Sequence, residues 1–294
     1  MALVPLSKLL ADAAAGGYAV GYFEAWDMYS LEAVVQAAEA ERSPVVLGFG
    51  GMMMDPPWLE RFGIEPMGAY GRVMAERANV PAALILNEVF GWTQAERGAH
   101  AGFNVVMVNT CHFPFEHNLK ITRQVAEVAH PLGVEVQAEL GRLPNFGQDE
   151  PGEPTDPDQA REFVAATGVD CLAVSVGNVH LQTEGSAEVD WDRLKAIRAA
   201  VEVPLVIHGG SGLDADTVTR LIGEGITLFH VGTVMKRWFW EATHKMVTDY
   251  NAPFSYQTAV GSRLIQDFLV AGQIVVEHVV GDLMQLYGSS GKAE

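Results

Sequence analysis

Short apolar or β-branched runs alternate with longer amphipathic stretches along the whole chain, and few folds accommodate that alternation. Eight runs can be marked: Tyr18–Glu24, Pro44–Phe49, Ala82–Leu86, Val105–Asn109, Val134–Leu140, Cys171–Val176, Leu205–His208 and Ile226–Val231. Each is followed by a helix-like segment, the signature of βα units and a parallel sheet. The spacing is roughly 30 residues, the usual length of such a step. Eight repeats predict a closed (β/α)8 barrel, and 294 residues suit one domain over 1–294, because such barrels typically take about 250.

Helices are expected over Ser30–Ala40, capped by Ser30 with Leu31, Val34, Val35 and Ala38 on one face, and over Glu116–Ala129, with Leu119, Val125 and Val128. Asp158–Thr167, between Pro157 and Gly168, and Asp192–Val201 carry similar start and stop chemistry. Gly141–Pro157, rich in Gly, Pro, Asp and Glu, interrupts the fifth unit and reads as a lid or a mobile loop. Trp238-Phe239-Trp240 and the apolar Ile265–Val280 fit either a subunit contact or packing on the chain's own barrel.

Hydrophobic residues at 49% can fill a core of that size, and a formal charge of −18 would repel a phosphate backbone, so nucleic acid is excluded as a partner. Cys111 and Cys171 form neither a disulfide framework nor a zinc-knuckle spacing. No leader pattern and no stretch of roughly 18 apolar residues is expected, which predicts a cytoplasmic protein with no membrane partner.

Active sites of (β/α)8 barrels lie at the C-terminal strand ends. Those ends hold Glu24, Asn87 and Glu88, Asn109 with His112 just beyond, Glu139, Asn178 and His180, His208, and His230. Each alone reads as a capping or hydrogen-bonded group. Four histidines and three carboxylates around one axis are costly to bury unless a cation or a hydrogen-bond network compensates. Two imidazoles and a carboxylate would leave coordination positions open on a divalent ion, so Glu88, His180 and His208 are the expected ligands, with Glu139 beside them. The run Gly209-Gly210-Ser211-Gly212, next to Gly232-Thr233, either binds an anion through backbone N–H groups or is a tight βα turn without a ligand.

Several stretches carry a resemblance over nearly the whole chain. They are Gly17-Tyr18-Ala19-Val20-Gly21, Ser43-Pro44-Val45-Val46-Leu47, Phe113-Pro114-Phe115-Glu116-His117-Asn118, Ala138-Glu139-Leu140-Gly141, Gly177-Asn178-Val179-His180, His208-Gly209-Gly210-Ser211-Gly212 and Tyr287-Gly288-Ser289-Ser290-Gly291-Lys292-Ala293. In order and spacing the chain resembles the class II, metal-dependent fructose-bisphosphate and tagatose-bisphosphate aldolases, as a divergent member. The resemblance implies a lyase that makes or breaks a carbon–carbon bond in a ketose or related hydroxy-carbonyl compound. In that family zinc, held by three histidines, polarises the carbonyl and stabilises an enediolate.

His180 and His208 match two ligand positions, whereas Glu88 stands for the third histidine and Asn87 for the proton-carrying Asp beside it. A glutamate ligand suits Zn2+ but also Mn2+ or Fe2+, and it lowers the ion's Lewis acidity. Because Asn87 cannot carry a proton, the step would move to Glu24, where the family has Asn, or to the acidic loop residues Asp149 and Glu150. The family's strand-eight Asn-x-Asn-Thr-Asp reads His230-Val231-Gly232-Thr233-Val234 here, and the Ser of strand two is Gly50. Asn178, Gly209, Gly210, Ser211, His230, Gly232 and Thr233 remain the implied substrate or phosphate contacts, for a substrate other than the usual sugar bisphosphates. A homo-oligomer, dimer or tetramer, is also expected. The alternatives are a metal-dependent epimerase, isomerase or decarboxylase on the same site, and a non-catalytic sugar-binding homologue.

Overall fold

The computed structural model describes residues 2–145, 147, 152–180, 187–249 and 255–293. Eight parallel strands close into a barrel: β1 (Val20–Ala25), β2 (Val45–Gly50), β3 (Ala82–Val89), β4 (Val105–Val108), β5 (Glu135–Leu140), β6 (Cys171–Val174), β7 (Leu205–Ile207) and β8 (Ile226–Val231), with β8 paired back to β1. Every residue of β2, β3 and β8 is buried, which is why these strands read as continuous apolar runs. Their side chains divide between two cores. Val20, Val46, Ala83, Ile85, Val105 and Leu228 fill the barrel interior, while Phe23, Leu47, Leu84, Val106 and Phe229 face the helices.

An additional helix, Leu6–Gly16, closes the bottom of the barrel. Leu6, Leu9, Leu10 and Ala13 are buried in the inner core. Pro5 has no side-chain acceptor for the helix's first N–H groups, and the Glu135 carboxylate at the start of β5 accepts from Leu6 N and Ser7 N instead. At the same end as this plug, the C-terminal segment forms a latch: Ser43 Oγ donates to Ser289 Oγ at 2.8 Å, and Tyr287 stacks on Phe229 at 4.7 Å. The terminal Tyr-Gly-Ser-Ser motif therefore has a packing role.

Helix starts differ from expectation in a consistent way. Met28–Glu41 begins earlier, with Asp27 as the cap; Ser30 is the third residue, and its hydroxyl accepts from Asp27 N in a reciprocal box. Asp156 and Asp190 cap Pro157–Thr167 and Trp191–Ala200. In Phe115–Ala129 the buried face runs through Asn118, Thr122, Val125 and Ala129, leaving Val128 only partly covered. The helix Phe268–Leu286 corrects the expectation that no stretch is long and apolar enough to cross a membrane, since by length and composition it is. Here it packs on Met28–Glu41 and Thr233–Thr248, with Gly272, Gln273, Val276, Val280 and Met284 buried.

The long segment after β5 is tied down at its ends. Arg142 and Glu153 exchange backbone hydrogen bonds of 2.7 and 2.6 Å. Thr155 Oγ1 donates to Leu140 O and accepts from Ser175 N. Asp149 and Glu150, expected to serve in acid–base steps, lie outside the described residues.

Candidate active site

The barrel mouth is polar because one irregular strand, β3, and the segments after β6 and β7 each deliver a ligating side chain. Strand pairing between β3 and β4 shifts register between Leu86 and Val89, and Glu88 within that bulge has φ +51°. Regular alternation would send Asn87 and Glu88 to opposite faces. The bulge brings both to the mouth, where Asn87 Nδ2 donates to Glu88 Oε2 at 2.9 Å. Such left-handed backbone at a non-glycine residue stores about 1–3 kcal/mol and concentrates at functional sites.

His180 ends a loop that glycine makes possible. Gly177 has φ +103°, and a Cβ there would lie 2.0 Å from Glu188 O. Asn178 ties this loop to the next strand end: its Oδ1 accepts from Val176 N, and its Nδ2 donates to His208 O, both at 2.9 Å. His208 follows β7 directly. Gly209 then turns the chain at φ +72°, where a Cβ would strike Val179 O at 2.2 Å.

One ligand atom from each of Glu88, His180 and His208 lies within 4.8 Å of the others. His208 Nδ1 is 3.9 Å from both Glu88 Oε1 and Glu139 Oε2. Glu88 Oε1 and both Glu139 carboxylate oxygens are buried without a hydrogen-bond partner. Burial, then the charge of Glu24, pushes the Glu88 carboxyl up to about 8. Burial and then Glu88 raise Glu139 well above the usual carboxylate range. His180 is pushed down to about 4 by burial, and His208 lies well below the ordinary imidazole value through burial, His230 and His180. Orphaned carboxylate oxygens facing neutral imidazoles are the donor set of a divalent cation, so the residues present fit one.

A cavity of about 380 Å3 opens on this cluster, lined by the expected Glu24, Asn87, Glu88, His180, His208, Gly209, Ser211, His230, Gly232 and Thr233. Tyr22, Met52, Lys236 and Arg237 also line it and were not anticipated. Two expected contacts are placed elsewhere. Asn178 is spent on the backbone bonds above, and Gly210 is buried behind the cavity, where a Cβ would lie 3.0 Å from His230 O. His112 is exposed, with its ring tilted against Phe113 at 4.1 Å, so among the described residues three histidines converge rather than four.

Glu24 has a defined partner, Lys236, in the first turn of Thr233–Thr248. Its carboxylate takes the space that Gly50 and Gly232 leave open, for a Cβ at either position would lie 2.6 or 3.2 Å from Glu24 Oε2. Ser211 Oγ accepts from Val234 N at 3.3 Å, joining the glycine loop to the same helix start. Below the mouth, the buried Gln137 amide nitrogen is 3.0 Å from His208 Nε2 and 3.1 Å from His230 Nε2, and its oxygen is 3.2 Å from His230 Nε2. Gln137 was missed, although counting by twos back from Glu139 along β5 finds it.

Over residues 4–292 the chain matches the family model described as fructose-bisphosphate aldolase class-II. It is 32% identical over 304 residues to the fructose-bisphosphate aldolase of Geobacillus stearothermophilus, covering 100% of this chain and 99% of that protein. The crystal structure of the YdjI aldolase from Escherichia coli K12 is 29% identical, with a TM-score of 0.83 over 99% of this chain and 100% of that one. The fructose-bisphosphate aldolase Fba of Campylobacter jejuni, at 20% identity and a TM-score of 0.79 over 99% of this chain and 97% of that one, shares the fold.

Proposed function

Since the chain belongs to the class-II fructose-bisphosphate aldolase family and is a lyase of the aldolase type, we propose that Glu88, His180 and His208 hold its divalent ion, with Glu139 alongside, and that its substrate is a hydroxy-carbonyl compound other than a sugar bisphosphate. The approach of the three ligand atoms within 4.8 Å, on the wall of the cavity, carries this reading. When bound, the ion, Zn2+ by the resemblance and Mn2+ or Fe2+ by the carboxylate ligand, supplies a Lewis acid for the substrate carbonyl.

The chain's own residues do the rest. Asn87 holds Glu88 through Nδ2, and its buried, unpartnered Oδ1 is free to accept a substrate hydroxyl. Asn87 cannot take up the proton released when the carbon–carbon bond breaks, so that duty falls to Glu24, which is paired with Lys236, or to Asp149 or Glu150. Glu24 in the space beside Gly50 and Gly232 sets a negative charge where a phosphate would sit, which supports a substrate uncharged at that end. Two free cysteines support a reducing cytosol, and the exposed Trp238 and Trp240 support a homo-oligomer.

Elemental analysis of protein never exposed to chelator should find about one divalent ion per chain. His180→Ala and His208→Ala should lose most of it; equal occupancy in all three proteins would overturn the ligand assignment. A coupled cleavage assay should show fructose 1,6-bisphosphate turned over more slowly than monophosphate or unphosphorylated ketoses. On the preferred ketose, Asp149→Asn or Glu150→Gln should lower turnover by about 10²–10⁴ with metal content unchanged.

A further inference from the structure

Tyr22 on β1 and His230 on β8 are register partners on adjacent strands, their rings 4.4 Å apart on the cavity wall. Tyr22 is 1% and His230 6% exposed, and Tyr22 Oη and His230 Nδ1 are both buried without a hydrogen-bond partner. The His230 ring is otherwise fully committed: it stacks on His208 at 4.2 Å, and its Nε2 lies 3.2 Å from Gln137 Oε1. Its Nε2 also lies 3.1 Å from Gln137 Nε2, so the Gln137 amide can serve either tautomer, and Nδ1 is left without a partner in both. Packing accounts for an aromatic ring at position 22 but not for its hydroxyl, because phenylalanine fills the same space without burying an unsatisfied group.

We propose that Tyr22 and His230 form a subsite that reads one uncharged hydroxyl of a polyhydroxylated substrate. A hydroxyl is the group that both orphans can share, since it accepts from Tyr22 Oη–H and can either donate to or accept from His230 Nδ1. An anion is the wrong ligand here. Burial and then the charges of Glu24 and Glu88 already weigh against negative charge at the Tyr22 phenol, and the same charges repel an anion beside it. Of the two cations that line the cavity, Lys236 is paired with Glu24 and Arg237 lies over the Trp238 ring. Tyr22 and His230 are thus specificity-determining residues, and calling their ligand the substrate rests on the lyase reading above.

The test is calorimetric titration of the metal-loaded full chain with sorbitol and, separately, with inorganic phosphate, comparing wild type with Tyr22→Phe. Neither titration needs turnover, so it can fail without touching the lyase reading, which metal content and cleavage assays address. Sorbitol affinity should fall about tenfold in Tyr22→Phe, the usual worth of one hydrogen bond, with metal content unchanged. The ligand-free variant should unfold at the same or a higher temperature, since an unsatisfied hydroxyl is removed; a lower melting temperature would mean that the hydroxyl has a structural partner and would overturn the proposal. Equal sorbitol affinity in both proteins, no sorbitol binding to wild type, or a loss confined to phosphate would also overturn it.

Discussion

At the scale of single residues, Glu88 decides how the site responds to pH. Its carboxyl is held near 8 in the ion-free protein, against an ordinary value of 4.5, so folding favours the protonated form. The sign follows: Glu88 contributes stability that is fully present below about 4.5 and is lost as pH rises through about 8. Only the anion ligates, so metal loading below pH 8 must displace that proton. Binding should strengthen by up to tenfold per pH unit between pH 6 and 8, with proton release detectable by calorimetry in buffers of different ionisation heat. Affinity independent of pH over that range would show that Glu88 is not a ligand. Gln137 acts at the same scale, since its amide sits against Nε2 of His208 and leaves Nδ1 turned toward Glu88 and Glu139.

Elements supply what residues alone cannot. The β3 bulge converts two consecutive residues, which an even strand would place on opposite faces, into neighbours at one mouth. Between β6 and His180, Gly177 bends the chain where any side chain would collide with Glu188 O. Gly177→Ala should therefore displace His180 and reduce metal content at least tenfold, while circular dichroism at 222 nm still reports the barrel. Retained metal would mean that the loop can relax around the methyl group. Where strand limits depart from the expected ones, by one to three residues, the reason is related. Tyr18 and Ala19 are apolar and read as strand, yet their N–H groups bond to Ala13 O and Tyr287 O, outside the barrel ladder. Asn109 and His208 likewise lie just beyond their strands.

Over the whole molecule, the two ends of the barrel divide the work. The plug helix Leu6–Gly16 fills the bottom, and the cavity with the Glu88, His180 and His208 cluster opens at the top. Leu10→Ala, at a position with no exposed surface, should cost about 2–5 kcal/mol by denaturant unfolding and leave metal content intact. Simultaneous loss of metal would mean that the two ends are coupled through the inner layer of Gln137, Met107 and Cys171. The barrel and the Glu88, His180 and His208 cluster were legible from the chain, because burial of parallel strands imposes apolar runs at a βα repeat and fold geometry gathers the strand ends. Family membership was legible from motifs spread along the length. Tertiary structure alone decided that His112 stays outside, that Asn178 holds His208 rather than facing the cavity, and that Lys236 captures Glu24. It also brought Tyr22, Gln137 and His230 into one buried layer. Hydrophobic periodicity reports which face of an element is covered; it carries no information about which polar atoms meet across a closed barrel, because those contacts join strands that are distant in sequence.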